Sequence, residues 1–270
     1  VTGLVASIAE FELSPDAPLL APDEPAAFEV IEGAARSPFL ITCDHAGKRL
    51  PRLLGTLGLP EAELGRHIAW DLGAACVARS LAQQLGAFAI LQTYSRLVID
   101  CNRQPGVPSS IPTTSESTAI PGNEALPAAA AARRARDIFT PYHERIVHEL
   151  ERRARTAEPT VLIAMHSFTP IFHGVPRPWH VGMLYNRDAR LGHALLALLR
   201  ADPALVVGDN EPYAVGDLSD YGIPVYGEQR GIPHVEIEIR QDLLLEEAGQ
   251  AAWAKRFAEL LPVACATFGA

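Results

Sequence analysis

The chain has 270 residues, 48% of them hydrophobic and 20% charged, a globular mixture with enough apolar side chain for one large core or two small ones. A net charge of −9 leaves no basic surplus to neutralise phosphates, which excludes nucleic acid and anionic membrane as main partners but allows a local basic pocket for an acidic metabolite. The four cysteines, Cys43, Cys76, Cys101 and Cys265, form no C-x-x-C pair and read as buried apolar thiols rather than as a disulfide framework or a cysteine zinc site. No basic-then-apolar leader pattern opens the chain, and no apolar run approaches the roughly 18 residues of a membrane span, so a cytoplasmic location is expected.

Residues 1–35 mix polar, Pro-rich and apolar pieces and predict an irregular N-terminal wrap. Six short apolar runs follow: Phe39–Cys43, Phe88–Leu91, Val161–Met165, Val181–Tyr185, Leu205–Val207 and Val235–Ile239. Their length and β-branched content predict strands, several of them buried on both faces. Between them, Leu72, Cys76, Leu81 and Leu85 form a helical stripe from Asp71 to Gly86. Residues 127–156 are helical in composition with a break at Pro141; Asp188–Arg200 opens on a capping residue, and Glu246–Leu261 closes the series. Strands alternating with helices imply parallel crossovers and a three-layer α/β/α architecture, read as one domain over residues 1–270. The stretch 104–126, rich in Pro, Ser and Thr and without periodicity, is expected to be a loop over the active site.

In open parallel sheets, ligands bind beyond the carboxyl ends of the strands. Those ends carry Asp44-His45-Ala46-Gly47, Asp100-Cys101-Asn102-Arg103 and His166-Ser167, while the last run carries Glu236 and Glu238 on one face with Arg240 beyond them. A catalytic zinc needs three protein ligands, commonly two imidazoles and a carboxylate, with a fourth position open. His45 and His166 supply the imidazoles in this reading; the alternative for each is a hydrogen-bonded structural histidine. Asp71 reads either as the N-cap of the following helix or as the carboxylate ligand, and Asp44, next to His45, points to the opposite face of an extended chain. Glu238, nearer the carboxyl end than Glu236, is the preferred general base, against the alternative of an exposed edge strand. His234 opens the same strand and is expected near the site as a substrate or supporting group, and Arg240 as a substrate-binding cation. His143, His148 and His193 lie on helical segments and are expected to be solvated; His67, His173 and His180 follow no pattern.

Taken together, Cys43-Asp44-His45-Ala46-Gly47 with Pro51, Ser95 through Arg103, His166-Ser167-Phe168 and His234-Val235-Glu236-Ile237-Glu238 resemble the N-formylglutamate amidohydrolases in content and order, across most of residues 40–242. The resemblance implies the zinc-exopeptidase-like (phosphorylase/hydrolase-like) fold, shared with zinc carboxypeptidases and aspartoacylases, with a mixed, mainly parallel sheet and one zinc at its edge. Carried over by motif, it implies Asn102 and Arg103 as the clamp on a substrate carboxylate, Arg96 as the group polarising the scissile carbonyl, and Glu238 as the base. Two features depart from the pattern. Lys48 stands where those fold relatives carry the glutamate of an H-x-x-E motif, which leaves Asp71 as an inferred ligand. Residues 208–230 also differ from the better-known deformylases.

The implied reaction is metal-dependent hydrolysis of a small anionic N-acyl amino acid, foremost N-formyl-L-glutamate to formate and L-glutamate. The alternatives are a carboxypeptidase- or aspartoacylase-like deacylase and a non-catalytic binding protein on the same fold. A serine hydrolase is disfavoured because no G-x-S-x-G elbow occurs.

Overall fold

The apolar runs become strands in the computed structural model, which describes residues 17–34 and 37–268. In chain order the strands are β1 (Phe28–Ile31), β2 (Phe39–Cys43), β3 (Phe88–Gln92), the hairpin β4 (Thr114–Ser115) and β5 (Thr118–Ala119), β6 (Val161–Phe168), the hairpin β7 (Ile171–Phe172) and β8 (Val175–Pro176), β9 (Val181–Leu184), β10 (Val207–Asp209) and β11 (His234–Arg240). The helices are α1 (Glu61–Leu64), α2 (Ala74–Leu85), α3 (Ala128–Arg134), α4 (Thr140–Arg155), α5 (Arg190–Leu199) and α6 (Glu247–Ala266). Seven strands join one sheet in the order β1-β3-β2-β6-β11-β9-β10. The four central strands, β3, β2, β6 and β11, run parallel; β1 on β3 and β9 on β11 are antiparallel, so the sheet is mixed and mainly parallel.

Helices cover both faces. Phe39, Ile41 and Cys43 of β2 and Val235, Ile237 and Ile239 of β11 pack with α2, α5 and α6. Leu40, Leu162 and Ala164 face the other way, toward α4 and the segment from Tyr94 to Cys101. This period-two alternation puts His166, Glu236 and Glu238 on that second face. Burial of both faces explains why the central strands are apolar runs rather than alternating ones.

Several boundaries differ from the sequence reading. Residues 28–31, within the expected irregular wrap, form the edge strand β1; residues 1–16 and 35 of that wrap lie outside the described residues. β6 extends through His166 and Ser167 to Phe168, and β10 begins two residues later than the apolar run suggested. Pro141 does not stop its helix. It sits in the first turn of α4, and residues 135–139 form a π turn whose wider backbone accommodates the missing N–H and the ring. Asp71 does not cap α2, which starts behind Gly73 at φ +77° without a side-chain cap. A Cβ at Gly73 would stand 2.4 Å from Cβ of Leu244, so glycine is required there for packing as well as for φ. No helix among the described residues is long and apolar enough to cross a membrane.

Candidate active site

Three parallel strands deliver their carboxyl ends to one place. The chain leaves β2 at Cys43 and turns through Asp44 and His45; β6 carries His166 near its end, and β11 carries Glu238 in register with His166. In-register residues on neighbouring strands share a face, so Glu238 and His166 stand side by side. On its other flank Glu238 meets Gly182 of β9, where a Cβ would fall 2.0 Å from the Glu211 carbonyl oxygen. Asp71 joins them from the loop before α2, held by a backbone hydrogen bond from its N–H to the His45 carbonyl (2.9 Å).

The result is a buried His45–Asp71–His166 set whose ligand atoms all lie within 4.8 Å of one another. Asp71 Oδ2 stands 3.0 Å from Nδ1 of His166 and 3.4 Å from Nδ1 of His45, and it accepts the Ser167 N–H at 3.3 Å. Asp100 Oδ1 lies 2.7 Å from His45 Nε2, so that nitrogen donates its hydrogen and Nδ1 presents a lone pair. That Nδ1 is buried and has no hydrogen-bond partner among the described residues. Behind His166, Asp44 Oδ2 lies 3.8 Å from Nε2, and Asp44 Oδ1 accepts the Tyr142 hydroxyl at 2.5 Å. An orphaned imidazole nitrogen beside a second imidazole and a carboxylate, with His45 held from behind by the hydrogen-bonded Asp100, fits a divalent cation such as zinc.

The electrostatics of the cluster agree. Burial pushes the Asp71 carboxyl up, but the neighbouring His45 and His166 rings, His166 through a hydrogen bond, outweigh it and hold the group well below the usual carboxylate range. Burial would lower His166, yet Glu236, Asp71 and Glu238 raise it well above an ordinary histidine. Glu238 is raised well above a normal glutamate, chiefly by burial, and Glu236 is pushed up by burial to about 7. Both keep Oε2 buried without a hydrogen-bond partner among the described residues.

These groups line a cavity of about 460 Å³. Arg96 lines it too, with Nε and Nη2 on Asp100 Oδ2 (3.1 and 2.6 Å) and Nη1 3.7 Å from Asp71 Oδ1. Arg103 and Asn102 reach the cavity from the following turn. The Asn102 side chain is committed to the protein: Oδ1 accepts the backbone N–H groups of Tyr221 (2.8 Å) and Gly222 (3.1 Å), and Nδ2 donates to Asp220 at 3.1 Å. It therefore positions the 220–222 segment, while Arg103, 3.7 Å from Asp220 and 22% exposed, keeps N–H groups for a ligand.

Two residues are not brought to the cavity. His234 starts β11 in register with Leu162, at the amino end of the parallel strands, where its Nδ1 donates to the Ile232 carbonyl at 2.7 Å. Arg240 has run past the site and binds Asp242 (2.7 Å) and the carbonyls of residues 177–179. A third expectation also changes. His143 is buried against Phe139, Tyr221 and Tyr226 rather than solvated, because it belongs to the apolar stripe of α4 with Tyr142, Ile146 and Leu150.

The sequence reading gave Asp100 no role, weighed Asp44 only as a weaker ligand, set Glu236 behind Glu238 on the same face, and assigned nothing to His67 and Tyr213, which line the cavity. From the loop 104–126, Ser109, Pro112, Thr114, Ser115 and Glu116 reach the cavity wall. Glu116 fastens that loop, accepting from Arg66 at 2.6 Å and from the His173 backbone at 3.3 Å.

Comparison with known proteins accords with this arrangement. No curated protein sequence matches the chain. The gene product Atu2144 from Agrobacterium tumefaciens shares 36% identity and superposes with a TM-score of 0.90 over 93% of this chain and 100% of its own. The N-formylglutamate amidohydrolase from Ralstonia eutropha JMP134, 20% identical, has the same fold at a TM-score of 0.65, over 89% of this chain and 97% of its own. The family model for N-formylglutamate amidohydrolase matches residues 37–245, a span that contains every residue of the cavity described above, and the chain belongs to that family.

Proposed function

We propose that the chain is a zinc-dependent amidohydrolase that cleaves N-formyl-L-glutamate to formate and L-glutamate. The observation that carries this reading is the buried His45–Asp71–His166 set beside Glu238 in one cavity, in a chain of this family. In this reading residues 1–270 form one catalytic domain, with the loop 104–126 as part of the cavity wall.

His45, Asp71 and His166 would hold the zinc, which supplies Lewis acidity, lowering the pKa of water toward ~7 and polarising a carbonyl oxygen. Glu238 takes the proton of the attacking water and delivers it to the nitrogen of the leaving amine. Burial and neighbouring Asp71 raise its proton affinity, which suits a carboxyl that must hold a proton between those two transfers. Arg96, fixed by Asp100, points N–H groups toward the charge that develops on the carbonyl oxygen, a contribution of ~3–4 kcal/mol for one well-placed donor. Arg103 pairs with a substrate carboxylate, and Asn102 holds the segment that shapes this end.

The test is formate release from N-formyl-L-glutamate by the purified protein, alongside its N-acetyl and peptidyl counterparts. About one zinc per chain and loss of turnover on chelation are expected. Turnover unaffected by chelators would defeat the zinc reading. Preference for the acetyl or peptidyl substrate would move the assignment to a deacylase or carboxypeptidase. Bound zinc with no turnover of any of the three would leave a binding protein.

A further inference from the structure

The hydrolysis just described uses one of two glutamates on β11. The other, Glu236, lines the same cavity, is 4% exposed, and has an Oε2 with no hydrogen-bond partner among the described residues. No arginine, lysine or histidine nitrogen lies within 4.0 Å of it among those residues. A buried carboxyl without such a partner is costly in either protonation state, so the fold gains nothing from a glutamate here. An apolar residue would suit the strand better.

Its place in the cavity is set by the strand. Two residues along β11 is a step of about 7 Å on the same face, so Glu236 lies one pleat behind Glu238. There its neighbour on β6 is Ala164, whose small side chain leaves room beside it. His166, Arg103 and Asp220 line the same cavity, and their charges, with that of Asp44, are felt at Glu236, so it lies between the metal-donor set and the Arg103 end. An N-acyl amino acid with its carbonyl at the donor set and its carboxylate at Arg103 carries its N–H in that interval. With Asp44 and Asp220 nearby, the position attracts N–H donors and repels a second carboxylate.

We propose that Glu236 reads the nitrogen of the substrate, accepting a hydrogen bond from the scissile amide N–H and then from the ammonium group of the released amino acid. This assignment rests on the zinc amidohydrolase reading for its substrate class. It adds no proton transfer: the C–N bond breaks, water supplies the hydroxyl to the acyl carbon, and the amine proton arrives through Glu238.

Two measurements test it, one independent of turnover. In calorimetry, zinc-loaded wild-type protein should bind L-glutamate at least tenfold more tightly than glutarate, which lacks the amine, and Glu236→Gln should remove most of that preference. In kinetics, the ratio of kcat/KM for N-formyl-L-glutamate to that for its O-formyl ester analogue, which has no N–H, should fall about 10- to 100-fold in the variant. Glu236→Leu should show the same losses with zinc retained and a melting temperature equal to or above wild type, whereas a merely structural glutamate would lower it. If wild type shows no preference for glutamate over glutarate, or Glu236→Gln keeps that preference, the assignment is wrong. Equal loss on amide and ester would also overturn it. Wild type that binds glutamate through Glu236 but cleaves nothing would instead defeat the proposed reaction and leave the Glu236 assignment standing.

Discussion

Asp100 Oδ1 stands 2.7 Å from Nε2 of His45, both side chains buried, and the same carboxylate grips Arg96 through its other oxygen. One aspartate thus fixes the tautomer and ring orientation of an imidazole in the donor set and aims a cavity arginine. Supporting carboxylates of this kind typically contribute 10- to 100-fold to metal affinity. Asp100→Asn should therefore raise the zinc dissociation constant by about that factor, measured by competition with a chromogenic chelator. Unchanged affinity would mean that Asp100 serves only Arg96.

Because the donor set is assembled from three separate segments, zinc that binds the folded chain must stabilise it. At a free zinc concentration 100 times the dissociation constant, the linkage amounts to about 2.7 kcal/mol. A chelator-stripped sample should melt several degrees lower than one reconstituted with zinc, and the shift should vanish in His45→Ala, Asp71→Ala and His166→Ala. Retention of the shift in any of these three would remove that residue from the set.

Glu238→Gln preserves shape but cannot take up the water proton. Loss of a general base typically costs about 10²- to 10⁴-fold, so kcat should fall by that order while zinc content, read by elemental mass spectrometry, stays at wild-type level. A variant with near-normal kcat would transfer the base role away from Glu238.

Much of this site was legible in the sequence because strand ends can be read from apolar runs. His45, His166 and Glu238 each sit at the carboxyl end of a run, and parallel pairing made those ends neighbours. His234 was misplaced, although it shares a strand with Glu238, because four residues of extended chain carry it about 13 Å toward the opposite edge. Asp71, Asp44 and Asp100 were harder to assign, since loop aspartates acquire roles only from partners distant in sequence. Asp71 meets His166 across 95 positions, and its reading as a helix cap failed because α2 starts three residues later. His143 could have been placed by counting helical positions, as it falls between Tyr142 and Ile146 on the buried stripe of α4.

Arg103 and Asn102 were paired by motif, yet their side chains serve different ends. Arg103→Ala should raise KM for N-formyl-L-glutamate at least tenfold with a smaller change in kcat, and Arg103→Lys should recover little, since a point charge lacks the planar fork. Asn102→Ala frees three hydrogen bonds to residues 220–222 and should lower thermal stability as well as activity. A Michaelis constant unmoved by Arg103→Ala would place the carboxylate elsewhere.

His143 makes acid stability a second test of the structure, through a group outside the metal-donor set. Burial holds its pKa down to about 3, against 6.5 for an unperturbed histidine, and its Nδ1 lies 2.5 Å from the Tyr226 hydroxyl. The folded chain therefore keeps the ring neutral at pH values where the unfolded chain has already taken up a proton. Above pH 6.5 both states are neutral and the group adds no pH dependence. As the pH falls from 6.5 toward 3 the unfolded state binds one more proton than the folded one, and stability declines by about 1.4 kcal/mol per pH unit. His143→Gln retains a partner for Tyr226 but cannot titrate. Between pH 7 and pH 5, in chelator-treated protein, wild type should lose about 2 kcal/mol more than this variant in urea unfolding. Any fixed cost of the substitution shifts the variant equally at both pH values, so the difference in slope carries the claim. Equal slopes would mean that the ring is protonated in, or exposed by, the folded state.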